Sequence, residues 1–345
     1  MALSAWQRHG RARHMRHFYL QLRAASTSGS PNSGLVSCEW LKDELSKPSS
    51  EAPLRVVDAT WYLPNSAWAA PAGSPGAEEE HKQGPRIPGA TFFDIEKFSS
   101  EHPDGLPHMM PDPKLFAEGM ANIGVDSKSR VVVYDRLGLF SAARFWYMLK
   151  VCFNHPNDVA VLDGGFLRWQ QLGLPVETGP ATPQPVFDSG DRWNYTPERC
   201  WDVEKVKANL TGNSSIVIDA RPAPRFQGTA EEPRAGMKSG HIPNSLNVPF
   251  PDLLDPQTKL LKDPEELEAL MMINGIPMSD ITDGDLPVVT SCGSGVTACM
   301  VGLSLHQLGM PLKNWAVYDG SWTEWGGRQD TPVEQGPSKP FKSKL

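Results

Sequence analysis

Four short blocks of this chain occur twice in the same order, and that repeat constrains the fold more than any other feature. Val56-Val57-Asp58-Ala59 returns as Val217-Ile218-Asp219-Ala220, and Arg86-Ile87-Pro88-Gly89-Ala90 as His241-Ile242-Pro243-Asn244-Ser245. Val131-Val132-Val133-Tyr134-Asp135 returns as Val288-Val289-Thr290-Ser291-Cys292, and Val161-Leu162-Asp163-Gly164-Gly165-Phe166 as Val317-Tyr318-Asp319-Gly320-Ser321-Trp322. All four separations fall between 155 and 161 positions. So long a period is far beyond the roughly 20–50 residues of solenoid repeats. A chain of 345 residues is also about two domains long. The expectation is one domain, duplicated and fused.

Each copy alternates short β-branched runs with helix-like segments, the signature of a parallel sheet covered by helices. In the second copy, residues 286–291 read as a buried strand and 297–308 as a helix, with Gly309 as its stop and Pro311 beyond. Residues 35–175 are expected to form the first domain and 198–333 the second. Between them, 176–197 are rich in Pro, Thr, Ser, Gly and Asp and read as a linker. The stretch 64–85 reads as a surface loop inserted in the first copy, and 334–345 as a frayed tail.

Charge is unevenly spread. Arg8, Arg11, Arg13, Arg16 and Arg23 precede the first acid, Glu39, and Ser26, Thr27, Ser28 and Ser30 follow them. An Arg-rich, Ser-containing, acid-free leader without a long apolar run is typical of organelle import, so residues 1–34 are expected to be a mitochondrial presequence; a cytosolic form stays open. The whole chain nevertheless carries a formal −7. That balance argues against a nucleic-acid binder, and no apolar stretch approaches the roughly 18 residues needed to cross a membrane. An anionic small substrate would then need a local basic pocket.

Five cysteines, Cys38, Cys152, Cys200, Cys292 and Cys299, lack CxxC spacing and are read as reduced thiols. One stands apart. Cys292 opens the segment Cys292-Gly293-Ser294-Gly295-Val296-Thr297, between the end of a parallel strand and the foot of a helix, where open α/β sheets place ligands. Its two glycines let successive amides turn inward, and the helix adds its positive end. Such surroundings bring a thiol from about 8.5 down to roughly 3.5–7.5, so Cys292 is expected to be thiolate at neutral pH, in a cradle that would equally hold a persulfide or an oxyanion. Cys299, inside the helix, reads as core packing. Cys38, Cys152 and Cys200 carry no functional signal. His81, His102, His155, His241 and His306 show no metal-ligand spacing, and no zinc is expected.

The cysteine loop and the duplication together resemble the rhodanese superfamily, specifically its two-domain sulfurtransferases. The resemblance runs from about Val36 to Val333 and implies an α/β fold of two tandem rhodanese-like domains, each a central parallel sheet flanked by helices. Thiosulfate-using members carry two basic residues after the cysteine, whereas Gly293-Ser294 is similar to the 3-mercaptopyruvate-using group. Asp135 holds the place of Cys292 in the first copy, which makes that domain catalytically silent and a wall of the cleft.

The resemblance also implies roles. Arg225 and Arg234, in Arg225-Phe226-Gln227-Gly228-Thr229 and Glu232-Pro233-Arg234, would clamp the substrate carboxylate and keto oxygen. Gly293, Gly295, Val296 and Thr297 would line the substrate site. Ser294, His108 and Glu96 would form a relay beside Cys292, with Asp94 a rival to Glu96. Arg86 stands where the family commonly has histidine, and no function is attached to it. Sulfur would pass to thioredoxin, a small thiol or cyanide, with no metal or organic cofactor.

Competing readings are a thiosulfate sulfurtransferase and a non-catalytic scaffold or sensor, the latter disfavoured by an intact cysteine loop. A cysteine-dependent phosphatase needs an arginine six residues after its cysteine, and that position is Ala298. Asp163-Gly164-Gly165 is no dinucleotide loop, because GxGxxG is absent and the block repeats at Asp319; it reads as a structural turn.

Overall fold

The structure, a computed structural model, describes residues 34–48, 52–181 and 193–341. Nearly all of the expected presequence and the middle of the linker lie outside the described residues.

Two five-stranded sheets repeat one topology. In the first, β1 (Leu35–Val36), β2 (Leu54–Asp58), β3 (Thr91–Phe92), β4 (Arg130–Tyr134) and β5 (Val159–Leu162) lie in the order β1-β5-β4-β2-β3. In the second, β6 (Cys200–Trp201), β7 (Ile216–Asp219), β8 (Leu246–Asn247), β9 (Val288–Ser291) and β10 (Trp315–Tyr318) lie in the order β6-β10-β9-β7-β8. Every strand pair is parallel. The strands are β-branched on both faces because both faces are covered. Along β4, Val131 and Val133 face one core, and Val132 and Tyr134 face another.

The inner faces of the two sheets share a single apolar core. Its centre is the packing of two equivalent helices, Ala142–Trp146 from the first unit and Ala298–Gln307 from the second. Trp146 stacks on Trp315 at 6.0 Å, Tyr147 lies 4.3 Å from the same ring, and the Tyr147 hydroxyl accepts the Val317 amide at 3.0 Å. Gly302 makes this fit possible, since a Cβ there would fall 1.8 Å from Trp315.

The seam between the units obeys an approximate two-fold. The Asp319 carboxylate of the second unit accepts the Met110 amide at 2.6 Å, and the Asp163 carboxylate of the first accepts the Leu261 amide at 2.8 Å. Two residues before each amide, His108 and Lys259 share a left-handed backbone, with φ of 59° and 60°. The Asp-Gly blocks are therefore more than local turns: each reaches across to brace a loop of its twin. Also across the seam, Cys152 Sγ and Cys200 Sγ lie 3.7 Å apart as free thiols.

Three sequence expectations need correction. The stretch 64–85 contains the helix Ala77–Gln83, and its Trp68 packs between Phe140 of one unit and Phe250 of the other, at 5.2 and 5.1 Å. The start of the linker is bolted down by Arg86, whose buried guanidinium donates to Gly179 O at 2.8 Å and Pro180 O at 3.2 Å. The tail is attached as far as Phe341: Glu334 pairs with His241, the Gly336 amide donates to Gln227 O, and Phe341 packs on the core.

Candidate active site

Cys292 follows β9, whose last residue Ser291 registers beside Asp219 of β7. The sulfur therefore emerges at the carboxyl ends of the central strands, and the six residues Cys292 to Thr297 complete the turn into the helix Ala298–Gln307. Four bonds from the chain after β10 pin this loop, one of them from Thr323 Oγ1 to Gly293 O at 2.6 Å. The Cys292 amide donates to Ser321 Oγ at 3.2 Å, while Cys292 O and Gly293 O accept the amides of Trp322 and Thr323 at 3.0 and 2.9 Å. Among the described residues, the amides of Gly293, Ser294, Gly295, Val296 and Thr297 donate to no protein acceptor.

The equivalent loop of the first unit shows what such amides do. There the Asp135 carboxylate folds back into its own loop and accepts the amides of Leu137, Ser141 and Ala142 at 2.8, 2.8 and 2.9 Å. The loop is an anion receptor satisfied internally in the first unit and left open in the second. Arg136 occupies the ground beside it, donating to Pro85 O at 2.9 Å, 3.6 Å from Asp58, with its guanidinium over the Phe166 ring.

Cys292 is 2% exposed and opens on a narrow cavity between the two units. The first unit contributes Trp61, Leu63 and Phe140 to the wall; the second contributes Phe250, Arg221, Arg225, Arg234 and the loop residues Gly293, Ser294, Val296 and Thr297. Gly295, expected on this wall, is a correction. With φ of +78° it turns its back on the cavity, and its carbonyl takes the Cys299 thiol at 3.5 Å from behind.

The two expected arginines both reach the cavity, in unequal states. Arg225 is ion-paired through Nε and Nη2 to Glu232, which also pairs with buried Arg221 at 2.7 Å. Arg221 is further held by Asp219 and lies over the Trp322 ring at 4.0 Å. Among the described residues, Arg234 donates only to Thr323 Oγ1, at 3.1 Å. Burial disfavours its positive charge and negative charge at Cys292 favours it, so an anion on the sulfur and the Arg234 cation sustain one another.

From across the seam, His108 Nδ1 lies 3.0 Å from Ser294 Oγ. Its ring meets Trp61 edge to face at 4.5 Å, and Trp61 Nε1 donates to Glu96 Oε1 at 3.0 Å. Glu96 stands 3.8 Å from His108 Nε2, an ion-pair distance and longer than a hydrogen bond. The His108 and Trp61 contacts hold the Glu96 carboxyl well below its usual range. Burial lowers the His108 pKa, opposed in part by Glu96, so the imidazole is neutral at pH 7. Asp94 caps the following turn through the amides of Glu96 and Lys97 and does not join the set.

Sequence reasoning missed Trp61, Arg144, Arg221 and Asp319. Arg144 carried a signal: it is the lone charge in an otherwise apolar run from Leu137 to Leu149 apart from Ser141, and a buried arginine must have partners. Cys299 is core as expected, fully buried, and burial pushes its thiol upward.

Two stretches of the chain, residues 37–172 and 202–328, match the rhodanese-like domain family. A 3-mercaptopyruvate sulfurtransferase of Rattus norvegicus is 39% identical over 293 residues, covering 84% of this chain and 91% of its own. A mitochondrial thiosulfate/3-mercaptopyruvate sulfurtransferase of Arabidopsis thaliana is 37% identical, covering 90% of this chain and 80% of its own. The crystal structure of SseA, a 3-mercaptopyruvate sulfotransferase of Escherichia coli, superposes with a TM-score of 0.68 at 36% identity, over 84% of this chain and 98% of that one. Two matched domains, one topology in both sheets and one cysteine loop at the seam lead to a single conclusion: the chain belongs to the rhodanese family, with its domain present twice.

Proposed function

We propose that this protein is a 3-mercaptopyruvate sulfurtransferase working through a persulfide on Cys292. The observation that carries the reading is the buried Cys292 sulfur at the head of a loop whose next five amides have no protein acceptor among the described residues, with Arg225 and Arg234 on the wall of the same cavity. The Cys292 thiolate attacks the substrate sulfur. An S–S bond forms, the substrate C–S bond breaks, and its electron pair leaves on carbon as the enolate of pyruvate. The proton of the substrate thiol ends on that carbon, giving pyruvate and an anionic persulfide. Ser294 and neutral His108 are placed to carry the proton, and the loop amides to hold the negative sulfur. Arg234, with Arg225 beside it, is the group for the substrate carboxylate. A thiol then takes the outer sulfur; thioredoxin, a small thiol and cyanide are the acceptors to compare.

Three arginines at the cavity face the carboxylates of Asp219 and Glu232, and the loop itself is uncharged. That modest positive balance suits the monocarboxylate better than dianionic thiosulfate. Pyruvate release from 3-mercaptopyruvate and sulfur release from thiosulfate, measured on the parent and on Cys292→Ser, test the reading. The expected result is preference for 3-mercaptopyruvate, gain of one sulfur atom on Cys292 by mass, and no turnover in the variant. Equal efficiency with thiosulfate overturns the substrate, and residual turnover in Cys292→Ser overturns the mechanism.

The same reading takes residues 1–34 as an import leader, supported by their charge pattern and by the mitochondrial relative. A reporter fused behind them should reach mitochondria and lose that address when the five arginines become glutamine.

A further inference from the structure

One buried guanidinium touches both halves of the site. Arg144, fully buried in the first unit, sends Nη2 to the His108 carbonyl at 2.8 Å and to Asp319 Oδ1 of the second unit at 2.6 Å. Its Nη1 lies 3.5 Å from the carbonyl of Gly295, in the cysteine loop. The other Asp319 oxygen takes the Met110 amide, two residues beyond His108. The histidine segment and the cysteine loop are thus referenced to one rigid fork.

The chain contains its own control. Under the two-fold that relates the units, the helices Ala142–Trp146 and Ala298–Gln307 correspond, and the position of Arg144 is taken in the second by Met300. On the other side Asp163 still braces the Leu261 amide, and Lys259 still lies against Gly138, yet among the described residues no arginine hydrogen-bonds across both. Mutual bracing of the units therefore works without an arginine, and the arginine is present only on the side that holds the sulfur.

We propose that Arg144 is a positioning residue of the sulfur-transfer site, setting His108 Nδ1 against Ser294 Oγ. The proposal deepens the reading above and rests on it for its kinetic arm. Arg144 touches neither cavity nor sulfur, so its loss should act on kcat rather than on substrate capture. Removing one partner of a buried ion pair strands the other, so the informative variant is Arg144→Met/Asp319→Asn, which removes both charges and installs the methionine of the twin position.

The double variant should stay folded, with KM for 3-mercaptopyruvate within threefold of the parent and kcat at least tenfold lower; Arg144→Lys should recover part of the loss. A double variant with the parent's kcat overturns the proposal. A readout free of substrate keeps the test separate from the proposed activity. The ring ¹⁵N resonances of His108, assigned with His108→Gln, report the Nδ1 contact. They should move in the double variant, and their coincidence with the parent overturns the proposal whatever the protein turns over.

Discussion

Within the site, His108 responds to pH. Burial lowers its pKa, so it is neutral in the neutral range and gains its proton only below the ordinary histidine value of about 6.5. Protonation puts a buried cation next to Arg144 and Arg234, both of which oppose it, with Glu96 alone in favour. Because the unfolded chain binds that proton more readily, stability from this site is present above pH 6.5 and falls as pH drops through the folded value. The acid limb of kcat should therefore lie below pH 6.5 in the parent and vanish in His108→Gln, whose residual rate should be about 10²–10⁴ lower if proton transfer is its task. A pH–rate series on the two proteins checks both statements. At this scale the sequence was informative where chemistry is local: Cys292, its glycines and both arginines sit in short contiguous motifs. It marked Arg144 only as a lone charge in an apolar run, without its partners, and was silent on Trp61; those partners lie far along the chain and meet through packing.

Among the elements, the helix Ala298–Gln307 carries the most consequence, because it is buried on nearly every side and starts at the cysteine loop. Its register against β10 depends on one missing side chain. Gly302→Ala places a methyl 1.8 Å from Trp315, whose ring is also packed against Trp146 and Tyr147. Overpacking of this kind costs about 1–3 kcal/mol, and no flexible side-chain end is there to yield. Thermal unfolding should show a fall of several degrees, with slower pyruvate release as the loop shifts. The element itself was legible: the sequence put a helix at 297–308, one residue beyond the observed span at each end. What failed was the polar, Pro-rich stretch 64–85. Its composition reads as loop, while its helix is held by the bonds of His81 to Asp58 and of Tyr62 to Glu80 within the first unit, and Trp68 by Phe250 of the opposite unit.

For the whole molecule, the two cross-braces are unequal electrostatically. Asp319 is ion-paired with Arg144 at 2.6 Å, whereas Asp163 is hydrogen-bonded by amides and feels Arg168 only electrostatically, and burial pushes its carboxyl up to about 7. A carboxyl raised on folding holds its proton better folded than unfolded, so this brace loses stability as pH climbs from about 4 through 7. Asp163→Asn keeps the acceptor for Leu261 without the charge. Its Tm should lie nearest the parent's below pH 4 and exceed it by several degrees at pH 8; a gain of the same size at both values would mean that Asp163 does not titrate in the folded protein. The duplication itself was plain from four recurring blocks, and with it the identical sheets. How the copies face one another was not, because the seam is written in single residues dispersed over both halves.

That seam has a historical implication. In a symmetric pair of identical chains, any change at one mouth is imposed on the other. Fusing the copies releases this constraint. One mouth could then accept Asp135 in place of a thiol, while the mouth that kept Cys292 gained Arg144 from the first copy. The division of labour between Asp135 and Cys292 is a freedom that belongs to a single chain containing both.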